Sequence, residues 1–118
     1  MIEEIKKLSE VFFDDVVSIR RHLHMNPELS FEEFETSKYI KKLLSSWNIE
    51  YTDGYANTGI LAIIKGESPL SKVISIRADF DALPINEEND VDYRSKKKDV
   101  MHACGHDAHT ACLLGAIK

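Results

Sequence analysis

Gly59-Ile60-Leu61-Ala62-Ile63-Ile64-Lys65 is the stretch on which the fold turns. Ile60, Ile63 and Ile64 do not alternate strictly with polar residues, and a short apolar run of this kind reads as a strand covered on both faces, as in a layered α/β sheet. Gly66-Glu67-Ser68-Pro69 breaks the run, and residues 72–80, rich in β-branched side chains, read as a further strand. Upstream, residues 49–52 form a short strand, closed by a turn at Asp53-Gly54.

The period changes on either side of these strands. Ile5, Leu8, Phe12, Val16, Ile19 and Leu23 recur every three or four residues, which predicts one amphipathic helix over residues 2–24 that stops before Pro27. A second helix opens at Ser30, where Ser30 and Glu33 have capping-box spacing and Phe34, Ile40, Leu43, Leu44 and Trp47 supply the buried stripe. Residues 81–106 show no periodicity, and so long a loop in a compact domain is functional or disordered. Residues 107–118 read as a helix capped by Asp107, with Ala111, Leu113, Leu114, Ala116 and Ile117 apolar. It has neither a glycine stop nor a polar tail, so the natural chain is expected to continue.

Bulk properties narrow the function. The 118 residues suffice for one domain. A net charge of −5 leaves no electrostatic footprint for nucleic acid, and Lys96-Lys97-Lys98 reads as a solvated loop. No signal peptide or membrane span is expected, since the N-terminus is acidic and the longest apolar run is far short of the ~20 residues that cross a bilayer. Cys104 and Cys112 make no disulfide framework, so a reducing cytoplasm is the expected location.

Two stretches carry chemistry. Cys104-Gly105-His106-Asp107-Ala108-His109 sets a thiolate and two imidazoles on a loop entering a helix, a donor set suited to a borderline metal such as zinc. In extended backbone Cys104 and His106 project to one side, Gly105 allows a tight turn, and the helix N-terminus favours thiolate. The plainer alternative is a buried structural cysteine beside exposed histidines. Arg77-Ala78-Asp79-Phe80-Asp81 ends the last strand where α/β folds build their sites. Either Asp79 or Asp81 could orient a ligating histidine, or Asp81 could simply cap a turn. A third stretch, from Arg20 to Ser30, says only that one helix ends and another begins. His22 and His24 cannot share a helical face, and neither reads as a ligand.

Together with Thr58-Gly59-Ile60, the runs from Arg20 to Ser30, Arg77 to Ile85 and Met101 to Thr110 resemble the hippurate hydrolase and N-acyl-amino-acid amidohydrolase group, which includes the auxin-conjugate hydrolases, within the aminoacylase-like dinuclear metallopeptidases. The resemblance covers nearly the whole chain. It implies a layered α/β, zinc-peptidase-like catalytic domain with a mixed, mostly parallel sheet, of which residues 1–118 are the N-terminal part. It implies Cys104 and His106 as metal ligands, Asp81 as the catalytic aspartate that organises the metal site, and His109 in a supporting role. Two divalent ions, zinc or manganese, and a small N-acyl amino acid or peptide substrate complete the expectation, and a homo-oligomer is compatible with it. Members of the group are longer: their Glu-Glu pair, further histidines and lid or dimerisation domain have no counterpart here. Lys98-Asp99-Val100 also departs from the pattern, where a glycine is common. The isolated chain is therefore expected to be inactive. Two rivals remain: a non-catalytic interaction module with residues 111–118 as its interface, and a cysteine hydrolase built on Cys104.

Overall fold

The three- and four-residue spacing does build helix near the N-terminus, but in two pieces. The computed structural model, which describes residues 1–68 and 72–118, has α1 (Ile2–Val11) and α2 (Phe13–Met25) parted at Phe12. The second piece packs on the helix His106–Ile117. Ile19 and Leu23 are buried, whereas Ile5 and Leu8 stand about half exposed and α1 buries nothing. As expected, the helix ends ahead of Pro27.

α3 (Phe34–Ser46) begins three residues later than the capping-box spacing predicts, with Glu33 at the cap position. Its cap comes from farther back. Glu28 Oε2 accepts the Thr36 N–H at 2.7 Å and the Thr36 hydroxyl at 2.6 Å, a carboxylate at a helix N-terminus. Phe34 is exposed, and Ile40 and Leu44 make the buried stripe. The Ser30 hydroxyl is spent elsewhere, on Asp81.

The expected strands are partly present. β1 (Glu50–Tyr55) and β2 (Gly59–Ile63) pair antiparallel as a hairpin. Its turn lies at residues 56–58, where Ala56 and Asn57 have positive φ, and not at Asp53-Gly54, which sits inside β1 at a register shift. The hairpin covers α3 on one face only: Leu61 and Ile63 are about half exposed, so β2 is not the doubly covered strand its composition suggests. Among the described residues this is the only sheet, and it is antiparallel. A mostly parallel sheet is therefore not what these residues form. Parallel pairing occurs at one isolated bridge, Leu29 to Ala82. The expected strand over residues 72–80 has no ladder; Val73 and Ile74 are almost fully exposed. Pro69, in the expected break before it, lies outside the described residues.

α4 (His106–Ile117) closes the fold. Ala111 and Leu114 join Ile19, Leu23, Ile40 and Leu44 in one core. Ala111 and Leu114 of this helix are thus used inside the chain, while Cys112, Ala116 and Lys118 stand exposed. α4 packs on α2 so closely that a Cβ on Gly115 would lie 2.5 Å from Val16 Cγ2.

Candidate metal centre

The Pro27-Glu28-Leu29-Ser30 turn and the chain at Asp81-Ala82 are stitched together. Ala82 N–H donates to the Glu28 carbonyl at 2.7 Å, and the Ser30 hydroxyl donates to Asp81 Oδ2 at 2.5 Å. Thr58, in the hairpin turn, donates to the buried Glu33 carboxylate at 2.8 Å. The motifs that looked like helix ends and turns in the sequence are the struts that fix Asp81.

Asp81 in turn fixes His106. His106 Nδ1 lies 2.9 Å from Asp81 Oδ1 and 3.1 Å from the Asp81 carbonyl oxygen. A carbonyl oxygen can only accept, so Nδ1 carries the hydrogen, and in the neutral imidazole Nε2 is the nitrogen with a lone pair to offer. This is the carboxylate–histidine arrangement that orients a ligating imidazole. The Ser30 hydrogen bond holds the Asp81 carboxyl below the usual carboxylate range; burial opposes this and the His106 bond adds to it.

Asp79 does not share this role. It pairs with Arg77, and its carbonyl accepts the Thr110 hydroxyl at 2.8 Å, which ties α4 to the chain before Asp81.

Gly105 precedes α4 with φ +96, a left-handed conformation that a side chain would strain. The segment from Cys104 to His106 is therefore a turn entering a helix, not extended backbone. Cys104 is exposed and its thiol is free. Among the described residues no hydrogen bond joins it to a histidine. His109 is exposed, with its ring centroid 6.2 Å from that of His106.

Asp107 was expected to cap α4. It lies instead in the first turn, fully buried, with Gly105 at the cap position. Asp107 Oδ2 meets Arg20 Nε at 3.0 Å and His24 Nδ1 at 2.6 Å. His24 Nε2 meets Glu87 Oε1 at 3.0 Å. Burial would raise the Glu87 carboxyl, but the Ser95 N–H, His24 and Asn89 together bring it from its ordinary 4.5 to about 2. Sequence reasoning passed over His24 and Glu87, since their partners lie 83 and 63 residues apart from His24 along the chain. His102 is buried beside them, 6.4 Å from His24 between ring centroids, with both ring nitrogens unpartnered. Burial pushes its pKa below the usual histidine value.

The donor chemistry suits a borderline divalent metal: a free thiol and an imidazole with its Nε2 free and its Nδ1 anchored. Among the described residues no group of three or more His, Cys, Asp or Glu side chains could hold a metal ion.

Residues 75–118 match the profile of the peptidase family M20/M25/M40. Over 116 residues, 98% of this chain and 31% of the relative, the sequence is 47% identical to an N-acyl-L-amino acid amidohydrolase of Geobacillus stearothermophilus. It is 57% identical over 99 residues, 84% of this chain and 25% of the relative, to an uncharacterized hydrolase of Staphylococcus aureus. Among solved structures it resembles the Bacillus subtilis YXEP protein, described as a dinuclear metal binding peptidase from the M20 family. The TM-score is 0.86 at 46% identity, covering 92% of this chain and 30% of that one. A structure from methicillin-resistant Staphylococcus aureus gives 0.89 at 43% identity, covering 97% and 30%. The resemblance read from the motifs thus holds in sequence and in fold: the chain is similar to the M20 amidohydrolases and peptidases. It spans between a quarter and a third of the length of the relatives it matches.

Proposed function

We propose that this chain supplies the first two ligands, Cys104 and His106, of a dinuclear metal centre in an amidohydrolase that cleaves the amide bond of N-acyl amino acids. The observation that carries this reading is the Asp81–His106 pair, which anchors His106 Nδ1, two residues along the chain from the exposed, free thiol of Cys104. Two divalent ions, zinc or manganese, would supply Lewis acidity toward the amide carbonyl. Asp81 holds the His106 tautomer and faces the centre, and Ser30 keeps Asp81 ionised. The remaining ligands and the general base lie outside these 118 residues. The name of the Geobacillus relative supports the substrate class.

In the same reading, residues 72–80 are a strand of a mixed, mostly parallel sheet, completed when further polypeptide pairs with them. Their β-branched, exposed side chains and the parallel bridge from Leu29 to Ala82 support this. The two free cysteines favour a cytoplasmic protein, and the exposed apolar edge also suits a homo-oligomer.

The test is to incubate the chain with zinc or manganese and N-acetyl or N-benzoyl amino acids, and to titrate it with cobalt(II). The reading predicts a thiolate-to-cobalt charge-transfer band that depends on Cys104, with no amino acid released. Metal-dependent release by this chain alone would overturn the two-donor account, and absence of the band would overturn the metal site.

A further inference from the structure

The stretch from Arg20 to His24, which the site above does not use, leads to one more assignment, and it rests on the metal-centre reading. We propose that His24 is a positioning residue that sets Cys104 and His106 for metal by clamping both ends of the loop that delivers them.

His24 stands on α2, buried, with each ring nitrogen against a carboxylate oxygen: Asp107 at 2.6 Å and Glu87 at 3.0 Å. A ring nitrogen that carries hydrogen donates to the carboxylate oxygen it faces, so the ring bridges the two carboxylates. The two carboxylates belong to different parts of the molecule. Asp107 is covalently next to His106 in the first turn of α4. Glu87 organises the loop before Cys104: its carboxylate accepts the Ser95 N–H at 2.6 Å and the Asn89 amide at 3.1 Å, and its carbonyl accepts from Arg94. One imidazole therefore joins α2, the approach loop and the start of α4.

Arg20 Nε lies 3.0 Å from the same Asp107 oxygen, so the buried Asp107 and Glu87 face a guanidinium and an imidazole. A buried carboxylate left without its partner is costly, and the network relaxes by moving the segment that carries it. For Asp107 that segment is the one that bears His106. Asp81 fixes the rotation of the His106 ring; His24 fixes the backbone from which the ring projects.

The experiment uses the 118-residue chain and its variants His24→Gln and Glu87→Gln, with Ile40→Val as a core truncation away from the clamp. Hydrogen–deuterium exchange of the metal-free proteins reads the position of residues 101–110. Cobalt(II) titration reads the metal site. His24→Gln is expected to speed exchange at residues 101–110 well beyond α3 and to weaken cobalt binding about 10- to 100-fold, the usual effect of removing an outer partner of a metal ligand. Glu87→Gln, which keeps shape and one hydrogen bond, is expected to fall between His24→Gln and the wild type. Ile40→Val should leave both readouts in that segment unchanged. Exchange and affinity in His24→Gln equal to wild type, or losses matched by Ile40→Val, would overturn the assignment, because the network would then serve stability alone. If the wild type binds no cobalt, the metal-centre reading fails by itself, while the exchange comparison still decides whether His24 positions the segment. If His24→Gln does not fold, Glu87→Gln carries both comparisons against the same control.

Discussion

Replacing Asp81 by alanine removes two contacts at once, the Oδ1 acceptor of the His106 Nδ1–H at 2.9 Å and the Oδ2 acceptor of the Ser30 hydroxyl at 2.5 Å. The Asp81 carbonyl, 3.1 Å from Nδ1, remains as a weaker anchor for the same tautomer. Loss of an outer partner of a ligating histidine costs about 10- to 100-fold in metal affinity. The surviving carbonyl and the partly exposed position of Asp81 put the expected loss near the low end, about tenfold or ~1.4 kcal/mol. Asp81→Asn keeps an oxygen toward His106 but loses the charge and the acceptor for the Ser30 hydroxyl, so it should bind more tightly than Asp81→Ala and less tightly than wild type. The assay is a cobalt(II) titration followed by charge-transfer absorbance, with thermal unfolding alongside to show that the fold is intact. Asp81→Ala binding cobalt as tightly as wild type, while Cys104→Ser abolishes the band, would refute the argument that Asp81 prepares His106.

Two predictions concern the supporting structure. The Glu87 carboxyl is held near 2 in the folded chain against an ordinary 4.5, so the native state binds fewer protons between these values. That contribution to stability is complete above pH 4.5 and is lost as pH falls through about 2; melting temperatures across this range should show it, and Glu87→Gln should flatten the slope. At the α2–α4 contact, Gly115→Ala sets a methyl 2.5 Å from Val16 Cγ2 and should destabilise the fold by about 1–3 kcal/mol, read by urea unfolding. Adding Val16→Ala should recover part of that loss, and additive losses in the double variant would contradict the packing geometry.

Much of the fold was legible because it is local. The spacing of Ile19 and Leu23 marks α2, Pro27 marks its end, and the apolar run after Gly59 marks β2. What failed depended on distant partners. Ser30 and Glu33 have the spacing of a capping box, but Ser30 donates to Asp81, 51 residues away, and Glu28 takes over the cap. Asp107 has the composition of a cap but is drawn inside by Arg20 and His24. A β-branched run states a preference for strand, yet a ladder needs a neighbour, and residues 72–80 have none among the described residues. At the site, residue types and motif order pointed to Cys104, His106 and Asp81. The contact between Asp81 and His106 was anticipated only as one option among several, because it rests on how the turn at Ser30 and the bridge at Ala82 place a loop.

The central claim, that Cys104 and His106 hold metal together, is tested most directly by X-ray absorption at the zinc edge on the zinc-loaded chain. The account predicts one sulfur at about 2.3 Å and nitrogen at about 2.0–2.1 Å, with the sulfur shell lost in Cys104→Ser and the imidazole signal lost in His106→Ala. Zinc bound with oxygen ligands only, or a sulfur shell that survives Cys104→Ser, would contradict it.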